Sequence, residues 1–458
     1  MHDRASTELP WWRGLSRYHW SVFTLATFTW FFDCLDQQLF VLARITAMQH
    51  LLPPGTDPGP YGTWATAAFM FGWAVGGMVF GAMGDRIGRA RTLTITVLLY
   101  SVFTGLSAFA QSWIDFTVMR VLTGLGVGGV FGLAVALVAD SLPDRSRAGA
   151  LGTLQSSSTL GNLCACLISL AIGGFVASGV LPAERSWQAM FLIGALPAFL
   201  CVLLRRRLQE PEKWVKARAA GRATGVAFGS YRDLFFVPRW RRAALAGMAL
   251  SMAGVIGLWG IGFFSPELVG PVVEAALRAE GMAEAKIVGA RTQWISLNMI
   301  VQNASGFVGM LAMTWLCQRI GRRPAMAITF VLCIGSTIAF FQCFQGPQHL
   351  WLTAAMGFCQ FAVFAGFAIY LPELFPTRLR STGTSFCYNV GRFFAALGIL
   401  QSGAIKTWVA AGAATAAEKL DAFRDALSGM TVVFAVGLVA LLFLPETKGQ
   451  PLPEDVAV

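Results

Sequence analysis

Long apolar runs alternate with short basic segments along nearly the whole chain. Twelve runs come close to or exceed the roughly 20 residues that a bilayer core requires of a helix. They fall at about 18–45, 62–83, 92–111, 115–140, 149–179, 186–204, 243–264, 291–317, 325–344, 350–371, 382–408 and 428–444. Their length and near-absence of charge predict membrane-spanning helices. One run breaks the pattern. Phe31 to Arg44 (FFDCLDQQLFVLAR) places Asp33, Asp36, Gln37, Gln38 and Arg44 inside an apolar segment. An ionisable side chain at mid-membrane costs at least about 2.5–3.5 kcal/mol, so its default reading is functional. Positions 33, 36, 40 and 44 share one helical stripe, which predicts that the stripe faces a polar interior.

Composition agrees: 55% of residues are hydrophobic and 13% charged. The 49 glycines include many inside the runs, where small residues let membrane helices approach closely. The formal charge of +11 does not mark a nucleic-acid binder. If the chain alternates sides from a cytoplasmic N-terminus, most Lys and Arg fall in short cytoplasmic segments, and both termini lie inside a plasma membrane. The first run is too long for a cleaved leader and is expected to stay as a span. Nine cysteines show no disulfide or zinc spacing. No nucleophile–base pair, phosphate loop or metal cluster stands out, so no enzyme, cofactor or metal is expected.

The runs form two groups of six around a basic segment at 205–242. The expected division is an N-terminal six-helix bundle (1–204), a cytoplasmic linker (205–242) with a short amphipathic helix near Glu212 to Ala220, and a C-terminal bundle (243–458). Segments 265–290 and 409–427 are long enough for surface helices, and the Pro- and Gly-rich loop 46–61 is expected to be irregular. GAMGDRIGRARTL (81–93) follows the second run and LCQRIGRRPAM (316–326) the eighth, an echo that predicts two related halves.

These motifs resemble the major facilitator superfamily, and within it the sugar-porter and metabolite:proton symporter branches. Gly81-x-x-Gly84-Asp85-Arg86-x-Gly88-Arg89-x-Arg91 is similar to the superfamily's signature loop, and Arg120 followed by VLTGLGVGG to its fourth-helix motif. Asp140-x-x-Pro143-x-x-x-Arg147, Glu210-Pro211-Glu212-Lys213-Trp214, Pro372-Glu373-Leu374-Phe375-Pro376-Thr377-Arg378 and Pro445-Glu446-Thr447-Lys448-Gly449 resemble further elements of these branches. The second-half loop departs, with Gln318 where the pattern has Asp. The seventh run lacks the Gln-rich pattern of sugar porters, and Asp33-x-x-Asp36 looks instead like the organic-acid and sialate symporters. The resemblance implies an all-α membrane protein of twelve transmembrane helices in two six-helix bundles about a central cavity. It implies a monomeric secondary transporter working by alternating access, with a small-molecule substrate, protons and the lipid bilayer as partners.

By the same resemblance Asp36 binds the coupling proton with Arg120 as its partner; a static Asp36–Arg120 pair is the structural alternative. Asp33 stands evenly between coupling and pairing, since two carboxylates one turn apart should not both ionise. Arg392, inside the eleventh run with no acid in the second-half spans, suits a carboxylate substrate, or it reaches the surface or Glu373 instead. Gln155, Asn162, Asn298, Gln302, Gln360, Tyr388 and Asn389 are candidate cavity groups or interhelical glue. Trp64, Trp259 and Trp294 fit belt or packing roles as well as stacking. Asp85, Arg86, Arg89, Arg147, Glu212, Arg319, Arg322, Glu373, Arg378 and Glu446 are the expected gating network at the cytoplasmic end. The leading reading is proton-coupled symport of a small organic anion or metabolite. A sugar-like solute facilitator or exporter, and a non-transporting membrane sensor on the same fold, are the alternatives.

Overall fold

The computed structural model describes residues 10–400 and 415–454. Its helices follow the apolar runs: α1 (Arg17–Leu51), α2 (Pro58–Ile87), α3 (Arg89–Ser107), α4 (Trp113–Ser141), α5 (Asp144–Ala177), α6 (Ser186–Gly194) and α7 (Ala198–Arg207). Two helices of the connecting segment follow, α8 (Glu212–Thr224) and α9 (Tyr231–Phe236). The second half comprises α10 (Pro238–Val255), α11 (Ser265–Ala279), α12 (Glu284–Ile320), α13 (Arg322–Cys343), α14 (Leu350–Tyr370), α15 (Arg380–Leu400), α16 (Ala416–Gly429) and α17 (Val432–Leu441).

Among the described residues nine helical stretches are long and apolar enough to cross a membrane on those grounds alone. The other three predicted spans are helical too, and each has a reason to fall short. In α1 the cluster of Asp33, Asp36, Gln37, Gln38 and Arg44 lowers the hydropathy. The sixth is broken at Ala195–Pro197 into α6 and α7. The eleventh, α15, opens on Arg380 and several hydroxyl residues, and its predicted end at 401–408 lies outside the described residues. Side chains such as Phe199, Leu170, Val432 and Leu442 stand outward and exposed on the flanks, as in a multi-pass membrane protein.

Two expectations need correction. Loop 46–61 is mostly helical, because α1 runs on to Leu51 and Asp57 caps α2 by accepting from Gly59 N at 2.9 Å. Pro58 then occupies the first helical turn, where its missing N–H costs nothing. The seventh run is not one continuous helix. After α10 it widens into a π turn over Ile256–Ile261 and tightens into a 3-10 turn over Gly262–Phe264. Of the two surface segments, Ser265–Ala279 and Ala416–Gly429 are helices, while 409–414 lies outside the described residues.

Close crossings hold the halves' helices at fixed spacing. α2 and α4 meet through Gly72 and Gly76 on one side and Gly124 and Gly128 on the other. A Cβ on Gly76 would overlap the carbonyl of Leu125, and one on Gly128 the carbonyl of Trp73. Both pairs are spaced i, i+4, so each helix offers a flat strip to its neighbour. Between halves, α15 packs along α2 and α12 along α5. A Gly76→Ala substitution should lower the melting temperature in detergent by several degrees, since overpacking costs about 1–3 kcal/mol. Gly173→Ala is the control, because nothing lies within 4 Å of its Cβ position; equal melting of the two variants would contradict the crossing argument.

Candidate functional site

A cavity of about 70 Å³ lies between the halves. Trp30, Cys34, Gln37 and Gln38 of α1, Trp73 of α2, and Gln155, Ser158 and Asn162 of α5 form one wall. Leu258 and Trp259 of the π turn, Met310 of α12, Phe361 and Phe364 of α14, and Tyr388 and Arg392 of α15 form the other. The π turn explains Trp259: the wider turn shifts the register of the seventh span just where it borders the cavity, a frequent use of such bulges.

Arg392 is the cavity's cation. Its guanidinium carbon lies 3.9 Å from the centre of the Trp73 ring and 4.3 Å from that of Tyr388. Nη1 donates to Tyr388 O at 2.6 Å and to Asn389 Oδ1 at 3.3 Å, while the buried Nε has no partner among the described residues. Neither alternative for Arg392 holds, because the side chain is fully buried and Glu373 pairs with Arg322 instead. Asp33 of α1 is the acid that acts on it electrostatically. Asp33 accepts from Gln37 Nε2 at 2.7 Å, and its Oδ1 is buried without a partner.

Neither Asp33 nor Asp36 is itself among the cavity-lining residues, and Asp36 is buried against α3 and α6. Thr104 Oγ1 of α3 donates to it at 3.1 Å, and a Cβ on Gly194 of α6 would come within 2.7 Å of its Oδ1. The expected direct contact with Arg120 is absent, although the two charges sense each other. Arg120 turns its fork to Ser107 Oγ and to Phe103 O at 3.3 Å, with its guanidinium 4.7 Å from the Phe191 ring centre. Thr104 and Ser107, one turn apart on α3, thus stand between acid and base. Nothing in the apolar pattern of α3 singled them out.

Of the predicted cavity groups, Gln155, Asn162, Tyr388 and Arg392 meet at the cavity. Asn389 is turned away, donating to Ser385 O at 2.8 Å and Gly128 O at 3.3 Å where α15 crosses α4. Asn298, fully buried, bonds Ser265 of α11 and Thr353 of α14. Gln302 and Gln360 both border Gly262, beyond the π turn, and Gln360 donates to Thr337. Asn298, Gln360 and Asn389 bond neighbouring helices in this structure, while Gln302 only borders Gly262. Trp64 is exposed, as a belt residue would be, while Trp30 and Trp73 were missed. Arg44 donates to Thr66 Oγ1 at 2.7 Å.

The end carrying the two R-I-G-R turns is closed by charge. Asp140 is held between Arg89 of its own half and Arg380 of the other, and all three are fully or nearly fully buried. Arg89 also reaches Asp85 at 3.2 Å and Thr377 O at 2.7 Å. Asp85 crosses the seam to cap α15, accepting from Ser381 N at 3.2 Å and from Thr382 N at 2.8 Å and Oγ1 at 2.7 Å. Arg322 grips Glu373 bidentately at 2.8 and 3.0 Å. Arg147 pairs with Asp144 in the field of Glu373, Arg378 with Asp233, and Arg86 donates to Gly229 O at 3.1 Å.

Two predicted members stand outside this network. Glu212 is exposed and pairs with Lys216 one turn along α8, so the acid at this place is Glu210. Arg319 lies over Trp315 on the outside of α12. Glu210 accepts from the backbone N–H groups of Arg89, Ala90 and Arg91 at 2.7–3.2 Å and so caps α3. Glu446 does the same for α13, accepting from Arg322 N and Arg323 N at 2.9 Å. The glycines of the echo now have a reason. Gly88 and Gly321 adopt φ of +119° and +105°, and a Cβ there would collide with the capping carboxylate.

Two helix bundles threading a bilayer around a shared cavity, with a charged seam at one end, make the architecture of a membrane transporter. This chain belongs to the Major Facilitator Superfamily, whose family model matches residues 26–399. It is similar to a putative metabolite transport protein of Haemophilus influenzae, 28% identical over 422 residues that cover 90% of this chain and 92% of the relative. It is also similar to a cis,cis-muconate transport protein of Acinetobacter baylyi, 29% identical over 343 residues, 72% of this chain and 76% of that one. The fold matches the solved proton:xylose symporter XylE bound to 6-bromo-6-deoxy-D-glucose with a TM-score of 0.70 at 17% identity, covering 95% of this chain and 98% of that chain.

Burial pushes the Glu446 carboxyl up, but the N–H groups of Arg322, Arg323, Lys448 and Thr447 outweigh it and hold the group below the usual carboxylate range. Its cap therefore contributes fully above the unfolded value of about 4.3 and fades as pH falls through the lower folded value. Glu446→Gln should cost about 0.5–2 kcal/mol at pH 7, as lost caps do. The gap in melting temperature between wild type and variant should shrink below about pH 4; a gap that is constant with pH would count against the ionised cap.

Proposed function

We propose that this protein is a secondary transporter that carries a small organic anion across the plasma membrane by alternating access, together with protons. One observation supports the anion most: Arg392, clamped between Trp73 and Tyr388 in the cavity between the halves, with no partner for its Nε among the described residues. A planar guanidinium held by two rings offers a carboxylate two donors in fixed geometry. Trp30, Trp259, Phe361 and Phe364 around it favour a solute with a flat, unsaturated or aromatic body. The relative named for cis,cis-muconate transport points the same way.

On this reading the protons load on the α1 carboxylates, Asp33 and Asp36, with Arg120 setting the field at Asp36. Gln155 and Asn162 contact the solute's polar edge. Residues 1–204 and 243–458 rock as two bundles about the cavity, bridged by 205–242, with both termini cytoplasmic as the basic loops suggest. The working unit is the monomer. Asp85, Arg86, Arg89, Arg147, Arg322, Glu373, Arg378 and Glu446 hold the cytoplasmic gate shut, joined by Asp140, Glu210 and Arg380. Glu212 and Arg319 are not part of it. Removing one partner of a buried pair costs about 3–5 kcal/mol, enough to reset the balance between two states that differ by little.

Purified protein in proteoliposomes tests the reading. With an inward proton gradient, labelled benzoate or cis,cis-muconate should accumulate above equilibrium, and dissipating the gradient should abolish accumulation. Arg392→Ala should lose uptake at least a hundredfold and Arg392→Lys a smaller amount, since Lys keeps the charge and loses the fork. Equilibration without accumulation would favour a facilitator; no flux for any carboxylate in a broad panel would sink the anion reading.

Asp140→Asn should open the closed end. Ser381 is buried in this structure, so a Ser381→Cys variant, made with the nine native cysteines replaced, reports access to the seam. It should label faster with a membrane-impermeant thiol reagent in the Asp140→Asn background, and an unchanged rate would remove Asp140 from the gate.

A further inference from the structure

A second concavity, of about 570 Å³, lies away from the seam, between α3 and α7 at the end that carries the R-I-G-R turns. Further along, α3 and the sixth span meet tightly, where a Cβ on Gly105 would come within 3.0 Å of the Ala195 Cβ. From there the sixth span breaks and restarts as α7, and a groove opens beside it, lined by Ile95, Leu98, Leu204 and Leu208. This apolar part opens to lipid rather than to water. Ile95, Leu98, Val102 and Leu106 form one exposed stripe on α3, and Phe199 and Leu203 are exposed on α7. At the other end the lining turns polar, at Arg91, Gln209 and Glu210. Leu98 and Arg91 stand two turns apart, about 10 Å along the helix, so the groove runs from hydrocarbon depth to the membrane surface.

The polar end is short of anions. Glu210 is the acid in the lining, and its two oxygens are already taken by the N–H groups of Arg89, Ala90 and Arg91. The Arg91 side chain is exposed and makes no ion pair within 4.0 Å among the described residues. Arg218 of α8, 5.0 Å from the centre of the Trp214 ring, keeps a buried Nη1 with no partner among the described residues. Burial, and after it the charges of Arg222 and Arg91, hold the Arg218 guanidinium below its usual value. Three cations thus share the field of one committed carboxylate. Arg206 and Arg207 add to them, exposed in sequence between the lining residues Leu204 and Leu208.

We propose that this groove binds one anionic phospholipid of the surrounding leaflet, its phosphate at Arg91 and an acyl chain along Ile95, Leu98 and Leu204. The occupant needs both parts of that chemistry. A free phosphate has nothing to set against the leucines, and a zwitterionic lipid brings no net charge to the arginines. Basic residues at a membrane surface attract anionic headgroups, and basic pockets between spans hold them. The volume falls within the range of ligand pockets. An acyl chain also restores the dispersion contacts that an unfilled gap between helices would forfeit. The site is independent of the solute carried in the cavity between the halves; it requires only that the chain span a bilayer.

Native mass spectrometry of the purified, delipidated full-length protein in detergent tests this. The probe is an equimolar mixture of phosphatidylglycerol and phosphatidylcholine, and the readout is the number and kind of lipids retained. Wild type should retain one phosphatidylglycerol in preference to phosphatidylcholine. Arg91→Gln should cut that retention about fivefold, the factor that one arginine near an anionic headgroup contributes. Leu98→Trp, which fills the groove and leaves every arginine in place, should lower it as well. Arg241→Gln, at an exposed arginine in the first turn of α10, is the control and should retain lipid as wild type does. Excess glycerol 3-phosphate should not displace the lipid; displacement would assign the site to a free phosphate and overturn the proposal. Equal retention of the two lipids, undiminished retention in Arg91→Gln, or the same loss in Arg241→Gln would each overturn it too. If Leu98→Trp does not fold, Ile95→Trp takes its place, and wild-type retention in a folded, groove-filled variant would equally sink the site.

Discussion

Asp140 between Arg89 and Arg380 is the contact on which the rest of the closed seam depends. Two guanidiniums buried at one place repel each other and cannot be hydrated, so they remain together only around an acid. Asp140 satisfies that need from the end of α4, and Asp85 adds a second carboxylate from the end of α2. Because Arg380 belongs to the other half, the pairing that keeps Arg89 buried is also what holds α15 against α2 and α4. Burial and closure are one event here: the charges stay dry only while the halves touch.

The two halves solve the same local problem in the same way and then diverge. Each R-I-G-R turn leaves the first N–H groups of a helix without intrahelical partners, and a glycine at the cap position has no side chain to satisfy them. A glutamate from a segment more than a hundred residues distant fills each place, Glu210 in the first half and Glu446 in the second. The divergence is at Asp85. Its counterpart in the echo, Gln318, is exposed, so a carboxylate crosses to cap a helix of the opposite half only from the first half.

Much of this was legible because membrane helices write themselves in apolar runs and because buried charge is rare enough to notice. The spans, the first-helix acids and Arg392 were visible on those grounds, while the seam residues were reached through the resemblance of the loop motifs to the superfamily's. What was not legible needed the third dimension. Glu210 and Glu212 are two residues apart and chemically alike, and only the fold says which one meets a helix end. Asn298 and Gln360 sit on spans as polar as those that border the cavity, but helix rotation turns them to neighbouring helices. Thr104 and Ser107 are ordinary hydroxyls that become important because Asp36 and Arg120 stand on either side of them. The π turn at Ile256–Ile261 carries no marker beyond its glycines, yet it sets which face of the seventh span reaches the cavity.

The separation of Asp33 from Asp36 follows from helix geometry. Residues three apart on a helix diverge by about 60°, enough for one carboxylate to reach the cavity lining through Gln37 while the other meets α3 and α6. The two acids therefore answer to different cations, Arg392 in the opposite half and Arg120 in the same half. A charge change at Asp36 alters an interaction inside one half, and a charge change at Asp33 alters one that spans the seam between the halves.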